Sequence, residues 1–384
     1  MRHVDSSRRP TLTVQASVLG LLFIWATSCA NNESTTAPGT TVTVLDTSTT
    51  SPAASTTVQA ATTTEPVSTA QPSTTTEPAT TTTIDPACAQ LQEPISSLSV
   101  DVAGQQRAAL VHLPGGRAPA KPSRVVLLFH GSGDSTAKLA EWTGLIDLAD
   151  REGFVVVQPQ GNAVELFPGL HVDPGWDILG LGVDEAGFVG TLLDELALKV
   201  CIDARRVYAA GYSNGGALAL ALSCTLGDRF AAVAAVAAIP VYACPTPHAV
   251  PTVIFHGLDD GFWHYDGDAT LGVPSIEKMA GDVATRNGCA ATAPTVSTIA
   301  TDVDKLTWAG CAAPTEMYRI SANGHAWPGG HTPPYTKPAF AELLVRLGEV
   351  PTGLTPEQAA DNVFLSNPAI DATATVWQFF TNQD

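Results

Sequence analysis

Short runs of consecutive apolar residues recur along the chain. They lie at residues 125–129, 154–157, 206–210 and 252–255, and a further strand-like run lies at 317–320. Apolar runs of this length, without an alternating polar face, are typical of strands buried on both faces of a parallel sheet. We therefore predict that these segments are the central strands of one sheet.

Helical patterns separate these runs, at residues 138–151, 184–199 and 214–224. In the second pattern, apolar residues at helical spacing form one stripe, made of Phe188, Leu192, Leu193 and Leu196. Because strands alternate with helices, the pattern predicts an α/β fold with a mostly parallel central sheet flanked by helices.

The composition changes sharply near residue 87. Residues 30–86 are dominated by Thr, Ser, Ala and Pro, and residues 31–86 contain no aromatic residue, Lys or Arg. Such a segment cannot bury enough apolar surface to offset the entropic cost of ordering its backbone. We predict a disordered linker over 30–86, with or without attached sugars, and one globular domain over 87–384.

The N-terminal residues have the pattern of an export signal. Arg2, Arg8 and Arg9 precede a mostly apolar segment at 11–26, and small residues lead to Cys29. This pattern predicts a signal peptide over 1–29, and an uncleaved N-terminal anchor is the alternative. A cysteine in this position is similar to a bacterial lipoprotein signal, which predicts lipidation of Cys29 and an exported, extracellular or cell-surface protein.

Charge and cysteine content narrow the function classes. The chain has 19 Lys and Arg against 37 Asp and Glu, a net charge of −18, which disfavours nucleic acid as a partner. Apart from Cys29, six cysteines remain, and this even number in an exported chain predicts three disulfides whose pairing the count leaves open. No Cys-x-x-Cys motif occurs, which argues against a zinc ribbon.

One glycine-bounded serine lies between a predicted strand and a predicted helix, in Gly211-Tyr212-Ser213-Asn214-Gly215. A Gly-x-Ser-x-Gly segment in this context forms the tight turn that presents the nucleophile of α/β-hydrolases. The glycines avoid collisions with the strand and the helix, and the helix N-terminus favours developing negative charge. We predict Ser213 as the nucleophile, with a plain glycine-rich helix start as the alternative.

A nucleophilic serine needs a base and an acid, which in this fold follow it in the order Asp or Glu and then His. The histidines after Ser213 are His248, His256, His264, His325 and His331. His325 is favoured because it lies on a glycine-containing loop after the 317–320 run, and His331 is the alternative. Asp259 and Asp260 both follow the 252–255 strand, and spacing does not decide between them.

Acyl transfer also needs backbone N–H donors for the developing oxyanion. In this fold, one donor is the residue after the nucleophile, here Asn214, and the other lies on the loop after an earlier strand. The segment His130-Gly131-Ser132-Gly133 follows the 125–129 run, so we assign the second donor to the N–H of Ser132. The alternative is a turn in which the glycines only serve geometry.

Six blocks in a fixed order, at 128–133, 183–188, 206–216, 256–260, 286–289 and 324–330, resemble the polyhydroxybutyrate depolymerase and feruloyl esterase family of secreted esterases. The resemblance runs from about Cys88 to the C-terminus. It implies an α/β-hydrolase fold and hydrolysis of polymer or aromatic acyl esters without a metal or cofactor. The family patterns His-Gly-x-x-Asp and His-x-Trp-Pro-Gly-Gly place the acid on Asp260 and the base on His325.

Chain position and the family's habit favour the same three disulfides, Cys88–Cys201, Cys224–Cys244 and Cys289–Cys311.

Two segments depart from the family pattern, namely residues 263–265 after the acid and residues 168–179. These loops are expected to line the acyl pocket. Trp176, Trp263 and Trp327 are therefore candidates for an aromatic subsite, and structural packing is the alternative.

The sequence thus predicts an exported serine carboxylic-ester hydrolase. Its substrates would be polyhydroxybutyrate-type polyesters or feruloyl and acetyl esters of polysaccharide, and its contact with a membrane would be through a lipid anchor alone. A small-ester or lipid esterase, a peptidase of the same fold and a non-catalytic surface lipoprotein are the competing interpretations, and the oligomeric state is left open. A binding protein would not need a nucleophile, an acid, a base and two donor loops together, which favours an enzyme.

Overall fold

The computed structural model describes residues 85–167, 170–239, 244, 248–269, 273–330, 341–342, 345 and 354–384. The predicted signal peptide with Cys29, the predicted linker up to residue 84 and His331 lie outside these residues. The first described hydrogen bonds are made by Asp85, two residues before the predicted domain start at 87. The Asp85 N–H donates to the Ala120 carbonyl at 2.7 Å, and Asp85 caps a short 3₁₀ turn at Pro86–Cys88.

A ten-stranded sheet runs through the described part of the chain. Ten of the twelve described strands form this sheet, and β5 and β6 form a separate hairpin. In chain order the strands are β1 (Ser97–Val102), β2 (Gln105–His112), β3 (Ser123–Phe129), β4 (Val155–Pro159), β5 (Asn162–Phe167), β6 (Leu170–Gly175), β7 (Ile202–Tyr212), β8 (Ala232–Val236), β9 (Thr252–Gly257), β10 (Thr295–Ala300), β11 (Val303–Thr307) and β12 (Thr315–Ile320). The spatial order is β1-β2-β4-β3-β7-β8-β9-β12-β11-β10. The six strands β4, β3, β7, β8, β9 and β12, in this spatial order, are parallel to one another. Two antiparallel strands complete each edge of the sheet, β2 and β1 on one side and β11 and β10 on the other.

The middle strands are buried on both faces. In β3, Val126 and Leu128 belong to one apolar cluster, whereas Val125, Leu127 and Phe129 belong to another. Successive side chains of a strand point to opposite faces, so the two clusters are the cores on the two sides of the sheet. Every residue of β4, β8 and β9 is buried, which explains the apolar runs within these strands. The predicted mostly parallel sheet flanked by helices is confirmed.

The described helices are α1 (Thr136–Thr143), α2 (Leu145–Glu152), α3 (Glu185–Lys199), α4 (Asn214–Thr225), α5 (Ile276–Arg286), α6 (Pro356–Val363) and α7 (Ala372–Thr381). Asp184 caps α3, because its Oδ1 accepts a hydrogen bond from the Gly187 N–H at 2.7 Å. The apolar stripe predicted for this helix is buried. None of the described helices is long and apolar enough to cross a membrane.

The single helix predicted for residues 138–151 is wrong, because Gly144 divides it into α1 and α2. Gly144 has a φ of +62° in the left-handed region, which glycine adopts without the steric cost that a Cβ would add. Trp142 and Leu145, on either side of the break, both pack in the same core. An apolar pattern can therefore continue through a break that the backbone imposes.

A two-stranded antiparallel hairpin, β5–β6, follows directly after β4 and was not predicted. Its two ends meet at the base, where a Cβ on Gly161 would lie 2.5 Å from the carbonyl oxygen of Gly175. The antiparallel edge strands were not predicted either. Strand β2, which lies between the edge strand β1 and β4, alternates exposed and buried residues, so it lacks the continuous apolar run of a central strand.

The structure contains the three disulfides expected from chain position and resemblance, Cys88–Cys201, Cys224–Cys244 and Cys289–Cys311. The first joins the start of the described domain to the start of β7. The second joins the C-terminal part of α4 to the segment before β9. The third joins the segment after α5 to the turn between β11 and β12.

Candidate active site

Ser213 occupies the sharp turn between β7 and α4. Its φ of +53° and ψ of −122° lie in a region that residues other than glycine rarely adopt. A Cβ on Gly211 would lie 2.2 Å from the Gly215 carbonyl oxygen, and a Cβ on Gly215 would lie 2.2 Å from that of Phe129. The two glycines therefore permit a turn that leaves Ser213 partly exposed, as in a nucleophile elbow.

His325 lies between Ser213 and Asp260. Its Nε2 is 3.0 Å from Ser213 Oγ, and its Nδ1 is 2.8 Å from Asp260 Oδ2. Its backbone is held on both sides, because the His325 N–H donates to the Val363 carbonyl at 2.5 Å and the Tyr212 hydroxyl donates to the His325 carbonyl at 2.7 Å. Among the histidines that the structure describes, this is the one brought to the serine.

Asp260, rather than Asp259, faces the histidine. Asp260 is 1% exposed, whereas Asp259 is exposed to solvent. The other carboxylate oxygen of Asp260, Oδ1, accepts hydrogen bonds from the N–H groups of Phe262 and Trp263 at 2.8 and 2.9 Å. Burial acts to raise the pKa of Asp260, but the adjacent His325 and the hydrogen bonds outweigh it and lower the pKa. Asp260 is therefore a carboxylate at neutral pH.

His256 is buried next to this carboxylate and shapes its loop. The His256 Nε2–H donates to the Trp263 carbonyl at 2.8 Å, and the same nitrogen lies 3.4 Å from Asp260 Oδ2. Burial lowers the pKa of His256 despite the nearby charge of Asp260, so the ring is neutral. The structure thus places His256 in the loop of the acid and not beside Ser213.

The two loops with candidate oxyanion donors meet beside the serine. A Cβ on Gly131 would lie 3.4 Å from Ser213 Cβ. Asn214 is the first residue of α4, so its N–H has no acceptor within the helix. In the described part of the chain, the N–H of Ser132 has no hydrogen-bond acceptor either. Both groups are free to bind an oxyanion formed at Ser213.

The arrangement has the chemical parts that nucleophilic attack on an acyl carbon requires. A hydroxyl, an imidazole and a carboxylate form one hydrogen-bonded chain, in which the imidazole can accept the hydroxyl proton. The N-terminus of α4 lies directly behind Ser213 and adds positive potential where negative charge would develop.

This chain is similar to several esterases. Residues 108–256 match the family described as esterase PHB depolymerase. The candidate esterase NocK of Nocardia uniformis subsp. tsuyamanensis is 29% identical over 280 residues, which cover 61% of this chain and 74% of that protein. This part of the chain is therefore similar to the esterases of that family.

Two relatives of this esterase domain have named substrates. The bifunctional acetylxylan esterase/xylanase XynS20E of Neocallimastix patriciarum is 30% identical over 163 residues, which cover 42% of this chain and 22% of that protein. Feruloyl esterase C of Emericella nidulans is 24% identical over 191 residues, which cover 48% of this chain and 63% of that protein. The match therefore spans less than two thirds of the length of each of these two proteins.

The family match covers part of the candidate site of this α/β-hydrolase esterase domain. The matched residues include Ser132, Ser213 and Asn214, and the match ends at His256, before Asp260 and His325. The acid and the base therefore rest on the geometry described above.

The three tryptophans predicted for an aromatic subsite do not form one in this esterase domain. Trp176 has no exposed surface, and its Nε1–H donates to the His130 carbonyl at 2.8 Å. Trp327 is 4% exposed, and its Nε1–H donates to Thr373 Oγ1 at 2.9 Å. For these two residues the prediction is wrong, because a ring packed and hydrogen-bonded in the core offers a substrate little or no surface. Trp263 is partly exposed, and its subsite role stays a prediction.

Two buried polar residues beside the site of the esterase domain were not predicted. Tyr212 precedes the nucleophile, and its hydroxyl holds the loop of His325. Asp134 follows the oxyanion loop and is 8% exposed, and its Oδ2 has no hydrogen-bond partner among the described residues. Burial raises the pKa of Asp134 to about 6. Tyr212 lies inside the nucleophile motif and Asp134 directly after the 128–133 block, but the sequence does not indicate that their side chains point inward.

Proposed function

We propose that this protein is an exported serine esterase that hydrolyses carboxylic esters through Ser213, His325 and Asp260. The observation that carries the proposal is the position of His325, whose two ring nitrogens lie 3.0 Å from the serine oxygen and 2.8 Å from the buried carboxylate. This is the arrangement of a Ser-His-Asp triad. The match to an esterase family supports acyl transfer as the use of this serine.

In the acylation half of the reaction, Ser213 Oγ attacks the ester carbonyl carbon while its proton passes to His325 Nε2. Asp260 accepts the Nδ1–H bond, which keeps Nε2 free as the base and stabilises the imidazolium that forms. The carbonyl oxygen becomes an oxyanion held by the N–H groups of Ser132 and Asn214. His325 then protonates the leaving alcohol, and the acyl group remains on Ser213.

In the second half, water replaces the alcohol. His325 Nε2 takes a proton from the water as its oxygen attacks the acyl carbon, and a second oxyanion forms at the same N–H groups. Collapse of this intermediate releases the carboxylic acid, and His325 returns the proton to Ser213 Oγ. Every proton transfer in the cycle uses the same nitrogen, His325 Nε2. The tautomer with its proton on Nδ1 must therefore be maintained when the ring is neutral.

We further propose that the substrates are polyesters of the hydroxybutyrate type or feruloyl and acetyl esters of polysaccharide. The named activities of the similar acetylxylan and feruloyl esterases support the second group, and the family description supports the first. A net charge of −18 suits neutral or uncharged polymers better than anionic ones. Hydrolysis rates on polyhydroxybutyrate, acetylated xylan, methyl ferulate and short p-nitrophenyl esters would rank these classes.

Export is proposed from the charged and apolar N-terminal pattern. Three disulfides support it, because disulfides persist in oxidising compartments. A lipid on Cys29 would hold the esterase domain at a membrane surface through the linker. Metabolic labelling with an alkyne fatty acid tests this step, with Cys29→Ala as the unlabelled control.

The test of the triad is the variant Ser213→Ala, assayed on p-nitrophenyl acetate. We expect kcat/KM to fall by at least about 10³-fold with unchanged thermal unfolding, because a triad without its nucleophile retains only residual rate enhancement. The matched control is Ser297→Ala, at an exposed serine of edge strand β10, which should keep the wild-type rate. A fluorophosphonate probe should label the wild type and the control but not Ser213→Ala. Turnover by Ser213→Ala within tenfold of wild type would refute the assignment.

A further inference from the structure

The base of the β5–β6 hairpin contacts both loops that carry the candidate oxyanion donors. On the side of Ser132, the Gly133 N–H donates to the Pro174 carbonyl at 2.8 Å, and the Trp176 Nε1–H donates to the His130 carbonyl at 2.8 Å. On the other side, the Asn214 side chain is bound to the backbone of Trp176. One short segment therefore bridges two loops that are far apart in the sequence.

The contact with Asn214 is a reciprocal pair of hydrogen bonds. The Trp176 N–H donates to Asn214 Oδ1 at 2.8 Å, and Asn214 Nδ2–H donates to the Trp176 carbonyl at 3.1 Å. Asn214 is 8% exposed. Two bonds in opposite directions fix both the position and the rotation of its amide group. The first residue of α4, which offers one oxyanion donor, is thus held against the end of the hairpin.

The indole ring of Trp176 makes the contact with the other loop. The ring packs edge-on against Phe129 with centroids 5.5 Å apart, and it lies 4.9 Å from the ring of His130. Phe129 is the last residue of β3, where the loop of Ser132 begins. Because the Trp176 side chain has no exposed surface, its N–H has the His130 carbonyl as a fixed partner, and it sets the start of this loop relative to the hairpin.

The first strand of the hairpin reaches the same loop through His130. The Gly161 N–H donates to His130 Nε2 at 2.9 Å, which leaves the ring proton on Nδ1, where it donates to the Gly131 carbonyl at 2.8 Å. Burial lowers the pKa of His130 to about 4, so this neutral tautomer persists at neutral pH. Gly161 in turn lies directly against Gly175. Both ends of the hairpin therefore fasten the loop.

We propose that Trp176 is a positioning residue that sets the distance between the two oxyanion donors, the N–H groups of Ser132 and Asn214, and this proposal rests on the proposed esterase function. Trp176 touches neither the substrate nor the reacting atoms. It acts by joining the two donor loops through its indole N–H and its backbone. Donors of this kind stabilise charge that exists only in the transition state, so misplacing one lowers kcat and leaves KM nearly unchanged.

The test is Trp176→Phe, which keeps an aromatic ring and removes the N–H donor. We expect kcat for p-nitrophenyl acetate to fall about 10- to 100-fold, with KM within about threefold, because small displacements of catalytic groups have costs of this order. The matched control is Trp308→Phe. Trp308 is 4% exposed, and its Nε1 has no hydrogen-bond partner among the described residues, so this control loses a buried indole without losing a bond.

A second measurement separates donor placement from general loss of structure. Sulfur accepts hydrogen bonds more weakly than oxygen, so the wild type should hydrolyse the oxygen ester faster than its thionoester. This preference should shrink in Trp176→Phe and persist in Trp308→Phe. If Trp176→Phe does not fold, benzothienylalanine at position 176 keeps the bicyclic shape without the N–H, and the same kcat loss is expected of it.

Failure of this inference is distinguishable from failure of the esterase function. Equal kcat in Trp176→Phe and Trp308→Phe, with an unchanged thionoester preference, would overturn the positioning role while the wild type still hydrolysed the ester. A wild type whose Ser213 neither turned over esters nor reacted with a fluorophosphonate would overturn both. Labelling of Ser213 in Trp176→Phe, together with reduced kcat, would show that the nucleophile is intact and that the oxyanion donors are displaced.

Discussion

The hydroxyl of Tyr212 donates a hydrogen bond of 2.7 Å to the backbone carbonyl of His325. Tyr212 is the last residue of β7 and immediately precedes Ser213, so the bond joins the strand of the nucleophile to the loop of the base. The two rings also lie 5.2 Å apart. Burial raises the pKa of Tyr212 well above its ordinary value, which keeps the hydroxyl protonated as a donor at neutral pH.

Replacing Tyr212 by Phe should weaken both the fold and the catalysis. The variant leaves the buried His325 carbonyl without this donor, so we expect the free energy of unfolding to fall by about 1–3 kcal/mol. We also expect kcat to fall by about tenfold, because the loop of the base loses a restraint. Urea unfolding and ester hydrolysis measure the two effects. Tyr318→Phe is the control, because its hydroxyl contacts the side chains of Glu316 and Lys305 and not the loop of the base. Equal results for the two variants would contradict the prediction.

The two neighbouring carboxylates after β9 should differ strongly on substitution. Asp260→Asn removes the acceptor that holds the Nδ1–H tautomer of His325, and we expect kcat to fall by about 10⁴-fold. Asp259→Asn changes an exposed side chain and should alter kcat by less than about threefold. Steady-state kinetics of both variants on one ester decide the matter. A larger loss for Asp259→Asn would show that the acid lies at the other position.

The buried carboxyl of Asp134 should make stability depend on pH. Burial raises its pKa to about 6 from 3.8, so the folded state favours the protonated form. The associated stability is fully present below about pH 4 and is lost as the pH rises through about 6, a difference of about 3 kcal/mol.

Asp134→Asn removes this titration. The stability of the variant relative to wild type should therefore increase by about 3 kcal/mol between pH 4 and pH 8. Urea unfolding of both proteins at the two pH values gives this difference directly, and the other carboxylates cancel in the comparison. A relative stability that is the same at both pH values would contradict the prediction.

The three disulfides should differ in their contribution to stability. They close separations of 113, 20 and 22 residues for Cys88–Cys201, Cys224–Cys244 and Cys289–Cys311. On a loop-entropy basis, removing the first costs about 5 kcal/mol and removing either of the others about 3 kcal/mol. Pairwise Cys→Ala variants compared by urea unfolding test the order. The estimate is wrong if a short-loop pair proves the most stabilising.

Much of the fold can be predicted from the sequence because the central strands are buried on both faces. In β3, residues 125–129 are all buried and all apolar, so this strand could be predicted from the sequence. The α3 helix shows its buried stripe at helical spacing for the same reason. The edge strands and the β5–β6 hairpin face solvent in part and carry no comparable pattern. The break at Gly144 was missed because apolar residues continue on both sides of it.

The candidate site also has a part that the local sequence predicts and a part that it leaves open. The sequence by itself determined the nucleophile turn, because only glycine is tolerated where Gly211 and Gly215 meet neighbouring backbone. The resemblance selected Asp260 and His325, which the chain order alone had left open. The nucleophile could be predicted in this way because a local motif imposes its own geometry.

Only the tertiary structure decided what joins these parts. Trp176 was a candidate for an aromatic subsite, with structural packing as the alternative, and it lies buried between the two oxyanion loops because the unpredicted hairpin carries it inward. Tyr212 was predicted only as a part of the nucleophile motif and Asp134 was not singled out, and the burial of both depends on elements far away in the chain. A local sequence pattern indicates which residues form a turn or a strand. The direction of a side chain across the core, and the partner that it meets there, depend on the packing of all the other elements.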